Sequence, residues 1–98
     1  MKLLETSDDF KTFLKESKTL VAMFSADWCG PCKVLSPEFG NLKAEDTEFL
    51  KVDVTVFDDL FDEYKITTLP TFIIFENGIE EKRENGSSGF SNISKLYS

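Results

Sequence analysis

The sequence predicts an α/β domain in which largely parallel strands are covered by helices, and three features of its 98 residues carry that expectation. Two apolar runs, Thr19 to Ser25 and Phe49 to Val54, alternate only weakly, as strands do when helices cover both of their faces. Between them, from about Cys29, the residues Cys32, Leu35, Phe39 and Leu42 recur at helical spacing, and a helix crossing between parallel strands makes a right-handed βαβ unit. Farther along, Asn77-Gly78 is a strong hairpin signal joining two more strand-like stretches.

Taken in order, Lys2 to Leu4 supplies a short first strand. Thr6 or Ser7 offers a helix cap, Asp8 and Asp9 sit in a first turn where negative charge is favoured, and Phe10, Phe13 and Leu14 mark one apolar face ending near Ser17. Thr19 to Ser25 is expected at the centre of the sheet. In the helix that follows, Pro31 is tolerated early because its missing N–H would be unpaired there, whereas Pro37 lies inside the pattern and is expected to kink it. Asp46 and Thr47 are expected to end that helix. Thr55 is expected to cap a short third helix carrying Phe57, Leu60, Phe61 and Tyr64 on one side. Phe72 to Phe75 reads as a buried strand, and Ile79 to Glu84 as an edge strand blunted by Glu80, Glu81, Lys82 and Arg83. Asn85 to Gly89 reads as a loop before a short last helix with Phe90 and Ile93 on its apolar side. The phenylalanines, among them Phe39, Phe57, Phe61, Phe72 and Phe75, fall at core-filling spacings.

Composition narrows the function. Eleven basic against eighteen acidic residues give a net charge of -7, which argues against a grip on nucleic acid or an anionic membrane. The length suits one domain over residues 1–98 rather than two cores. The longest apolar run, Leu20 to Phe24, is far too short to span a bilayer, and Leu3-Leu4 followed by Glu5 does not make a secretory leader, so the chain reads as soluble and cytosolic. There is no histidine, hence no Ser/His/Asp triad, and no glycine-rich nucleotide loop. The acidic cluster Asp58, Asp59, Asp62 and Glu63 lacks the cyclic spacing of a calcium loop and reads as a solvated helix face.

The chemistry concentrates in Asp27-Trp28-Cys29-Gly30-Pro31-Cys32-Lys33, which holds both cysteines and the only tryptophan. Two thiols separated by Gly-Pro can close a disulfide and open it again. Exchange needs a thiolate at a helix N-terminus and a second thiol able to resolve the mixed disulfide, and Cys29 and Cys32 are placed for those roles. A static disulfide is an alternative, although so short a loop gains little entropic stabilisation. A zinc site would need further cysteine or histidine ligands, and the chain has none.

The string Trp28 to Lys33, with Phe24, Ala26, Pro37, Asp53, Leu69-Pro70-Thr71, Phe75, Asn77-Gly78 and Gly86, resembles the thioredoxin family over almost the whole chain. The resemblance implies the thioredoxin fold: a central mixed five-stranded sheet with helices on both faces, the fourth strand antiparallel to the first three and a cis bond before Pro70. It also implies a protein-disulfide reductase without bound cofactor. Exposed Cys29 would attack, and buried Cys32 would resolve. Gly30, Pro31 and Pro70 would support the site, and Trp28, Ile66, Leu69 and Gly86 would form its substrate-contact surface. Expected partners are protein disulfides and an NADPH-dependent thioredoxin reductase, the domain acting as a monomer. The Gly-Pro insert resembles the reducing members of the superfamily; a disulfide isomerase or oxidase-like domain and a non-catalytic interaction module are the alternatives. One position departs from the family pattern. Met23 stands where a buried aspartate usually accepts the resolving thiol's proton, and a thioether cannot take that proton. Lys51, which often neighbours that aspartate, is expected to lose its counter-charge and reach solvent.

Overall fold

Helix α1 (Ser7–Glu16) starts where Thr6 accepts a hydrogen bond from the Asp9 N–H, as a capping threonine should, and Phe10 is its fully buried residue. The computed structural model describes residues 1–97. In chain order, β1 (Lys2–Leu3) leads into α1, followed by β2 (Thr19–Ser25), α2 (Gly30–Gly40), β3 (Thr47–Asp53), α3 (Asp58–Glu63), β4 (Thr71–Glu76), β5 (Ile79–Asn85) and α4 (Gly86–Tyr97).

The five strands are ordered β1-β3-β2-β4-β5. β2 is central and pairs parallel with β3 and antiparallel with β4, so the sheet is mixed as expected. All seven residues of β2 are buried, which explains its near-continuous apolar sequence. Asn77 and Gly78 both adopt positive φ, the geometry of a tight hairpin turn, and the ladder they close carries an irregularity between Ile74 and Phe75.

Aromatic rings fill both faces. On one side Phe10 of α1 packs with Phe24, Tyr64 and Phe75, and on the other Phe39 of α2 packs against Phe49 and Phe72, with Phe90 of α4 touching Phe72. Helices therefore cover both faces of the sheet.

Four boundaries differ from the sequence expectations. α2 ends at Gly40, not at Asp46, because Asn41 closes its last turn by donating to the Glu38 and Phe39 carbonyls; Leu42 still fills the core, but from the turn beyond. β3 consequently begins at Thr47, paired with Thr19. Thr55 does not cap α3. Its N–H and hydroxyl both donate to the Asp53 carboxylate, and α3 starts after Phe57 without a side-chain cap. The stretch Gly86 to Gly89 belongs to α4, which begins directly after β5.

Candidate active site

The end of β2 delivers the chain through Ala26 and a turn at Asp27-Trp28 into the first turn of α2. Cys29 is the N-cap: its backbone is extended, its N–H donates to the Ala26 carbonyl at 3.2 Å, and its Sγ accepts from the Cys32 N–H at 3.3 Å. Pro31 occupies the first turn, where its missing N–H costs nothing. Cys29 and Cys32 are joined in a disulfide with their Cα atoms 5.2 Å apart. When the bond is reduced, the Cys29 sulfur lies at the positive end of α2 with a backbone N–H directed at it, and both features favour a thiolate.

The two sulfur-bearing residues differ less in exposure than the sequence suggested. Cys32 is 2% exposed and Cys29 only 6%, so the expectation of an exposed Cys29 is corrected: the walls around it leave only a small opening. Trp28, by contrast, is 71% exposed. A cleft of about 450 Å³ opens on the disulfide, lined by Trp28, Cys29, Gly30, Pro31, Phe61, Thr67 and Leu69.

The opposite wall is held by the loop before β4. The Leu69-Pro70 peptide is cis, and Leu69 is half-buried while Pro70 is buried. The Thr71 hydroxyl donates to the Thr68 carbonyl at 2.6 Å and lies 2.9 Å from the Asn85 side-chain oxygen, which ties this loop to the end of β5. Gly86, with φ +68°, donates its N–H to the Pro70 carbonyl at 2.9 Å. Of the surface residues read from sequence, Trp28 and Leu69 meet in the cleft. Ile66 is buried at 3% exposure and does not line it; Gly86 supports the loop from behind and is not among the lining residues. Phe61 and Thr67 do line it; Phe61 packs against the core, as its helical spacing implies, and shows part of its surface to the cleft as well.

Met23 is fully buried, and its ladder neighbours place it under α2. Lys51 lies opposite it on β3 and Phe72 on β4; the Lys51 Nζ donates to Ser36 of α2 at 2.9 Å, and the Phe72 ring packs on Phe39 of α2. Lys51 thus finds a hydroxyl partner rather than simply reaching solvent. Ser25 follows Met23 on the same face, and its hydroxyl is buried without a hydrogen-bond partner among the described residues. Among those residues no cluster of His, Cys, Asp or Glu could hold a metal ion.

A vicinal disulfide at the N-terminus of a helix, opening on an apolar cleft beside a cis-proline loop, defines a thiol-disulfide oxidoreductase working by dithiol–disulfide exchange. The thioredoxin family model matches residues 2–97, and the chain belongs to the thioredoxin family. A thioredoxin of Mycoplasma genitalium is 44% identical over 82 residues, covering 82% of this chain and 80% of that protein. The solved structure of Plasmodium falciparum thioredoxin superposes with a TM-score of 0.87 at 25% identity over the whole of both chains. That of Malassezia sympodialis thioredoxin gives 0.86 at 30% identity, covering 99% of this chain and 90% of the other.

Proposed function

We propose that this protein is a monomeric, single-domain protein-disulfide reductase in which Cys29 is the nucleophile and Cys32 the resolving thiol. The observation that carries the assignment is Cys29 at the N-cap of α2, lining the cleft, with the more buried Cys32 one turn farther along and not among the lining residues. The Cys29 thiolate attacks one sulfur of a substrate disulfide. The S–S bond breaks, a mixed disulfide forms, and the first substrate thiolate leaves to take a proton from solvent. Cys32 then gives up its proton and attacks the Cys29 sulfur, releasing the second substrate thiolate. Two electrons have passed to the substrate, and the Cys29–Cys32 disulfide is restored.

Trp28, Gly30, Pro31 and Pro70 support the attacking sulfur, and Trp28 and Leu69 contact the substrate, the backbone of Leu69 pairing with an extended segment. Ile66 and Gly86 act from behind that surface. With Met23 under α2, the proton of Cys32 passes to water or to another carboxylate. The Gly-Pro insert puts no positive charge beside the thiolate, which keeps the reduced form a strong donor and suits work in a reducing compartment such as the cytoplasm. Electrons return from a separate NADPH-dependent thioredoxin reductase.

Replacing Cys32→Ser tests the division of labour. This variant should accumulate a mixed disulfide with a protein substrate through Cys29, seen by mass spectrometry, whereas Cys29→Ser should trap none. Trapping through Cys32 in the Cys29→Ser variant, with none through Cys29, would reverse the assignment.

A further inference from the structure

Phe61 is a half-buried ring that packs against the margin of the core and also lines the cleft beside Cys29. The aromatic cluster beneath α1 and α3 is built from Phe10, Phe24, Tyr64 and Phe75, while Phe61 lines the cleft that reaches Cys29. It is the only lining residue supplied by α3; the others come from the start of α2 and the loop before β4. Its position is fixed from two directions. The Phe61 carbonyl accepts from the Ile66 N–H at 3.0 Å, and Arg83 of β5 donates to the Tyr64 carbonyl at 2.8 Å while Glu80 grips the other side of the guanidinium. The end of α3 is thereby fastened to the sheet, and the backbone that carries the ring is held beside the cleft while the ring rests against the core.

We propose that Phe61 is a specificity-determining residue, forming with Trp28, Pro31 and Leu69 a slot for a large apolar side chain next to the attacked cysteine of the substrate. This rests on the assignment of Cys29 as the nucleophile. In the mixed disulfide the substrate cysteine is bonded to Cys29, itself a lining residue, and its chain neighbour lies only about 3.8 Å farther along the backbone. The occupant of the cleft is therefore set by the reaction: it is the side chain adjacent to that cysteine. A leucine or isoleucine buries apolar surface against the Phe61 ring, and a glycine leaves the slot to water.

Two disulfide peptides of equal net charge, differing only in leucine or glycine beside the attacked cysteine, test this. Equal charge makes the α3 carboxylates act alike on both. The wild-type protein should reduce the leucine peptide with a kcat/KM about tenfold higher, the difference lying mainly in KM. In Phe61→Ala that ratio should fall to about twofold, and in Phe61→Leu it should stand between, which separates loss of the slot from loss of the fold because a general defect lowers both rates without changing their ratio. Equal rates in the wild type, or a ratio unchanged in both variants, would overturn the slot while leaving the reductase intact. Failure of the wild type to reduce either peptide would overturn both.

Discussion

Met23 is a fully buried thioether on the central strand, beneath the helix that carries both cysteines. Its side chain lies on the face of β2 covered by α2, opposite Lys51, and the partnerless hydroxyl of Ser25 sits on the same face. A carboxylate introduced there would find an ammonium across the ladder and a hydroxyl two residues on. Met23→Asp should therefore accelerate the resolving step at neutral pH by roughly tenfold, general-base catalysis commonly being worth at least that. It should also lower unfolding stability by about 2 kcal/mol, since a polar group replaces a well-packed one. Single-turnover release of product from the mixed disulfide reads the first effect, and unchanged kinetics would sink it. Tyr64 illustrates a second consequence of burial. Desolvation first, then the charges of Glu63 and Glu80, hold its phenol above the ordinary value of 10.0. The folded state then keeps its proton longer than the unfolded chain does, so the associated stability is complete below pH 10 and is lost as pH rises through the folded value. Tyr64→Phe should flatten the alkaline fall in stability measured by denaturant titration, and an equally steep fall in the variant would assign it to other groups, such as the similarly buried Tyr97.

At the scale of elements, legibility followed the strength of the local signal. β2 and the start of α2 were readable because an uninterrupted apolar run and a proline in the first helical turn each have one cheap structural solution. The hairpin at Asn77-Gly78 was readable for the same reason. The end of α2 was not, because Leu42 keeps the apolar spacing while contributing to the core from a turn. The start of α4 was hidden by Gly86-Ser87-Ser88-Gly89, a composition that locally resembles a loop. Gly89 serves close packing rather than freedom of the backbone: a Cβ there would lie 2.9 Å from the Glu84 backbone carbon. Gly89→Ala should accordingly cost about 1–3 kcal/mol, the usual range for overpacking. Exposed Ser88→Ala should stay within about 0.5 kcal/mol. Urea unfolding of the two variants checks this, and equal midpoints would mean that α4 shifts freely on β5. In the site itself, the cysteines were legible from their residue type and spacing and Trp28 from its adjacency to Cys29, whereas the Leu69-Pro70 loop was expected only from the family resemblance. The place of Phe61 in the cleft was not legible, since helical spacing points to the core, against which Phe61 does pack, and cannot show that the same ring also borders a cleft.

For the whole molecule, the fold is a platform that brings separate stretches together beyond one end of its inner strands, β2 and β4. The parallel β2–α2–β3 unit places the helix N-terminus beyond the end of the central strand, the antiparallel β4 returns the cis-proline loop beside it, and β5 fastens that loop through Asn85 and fixes α3 through Arg83. No helix among the described residues is long and apolar enough to cross a membrane. The electrostatics around the sulfurs are simple: a helix N-terminus favours the thiolate, and no histidine adds to it. The helix terminus alone would favour the reduced form, and it is the absence of a histidine's added charge that is the physical basis for proposing an electron donor rather than an oxidant. The most direct test is the equilibrium potential of the Cys29–Cys32 couple in a dithiol redox buffer at pH 7. An electron donor of this kind should give a value near the roughly -270 mV of thioredoxins; a value near the roughly -180 mV of disulfide isomerase would contradict the donor role and place the protein among catalysts of disulfide formation or rearrangement.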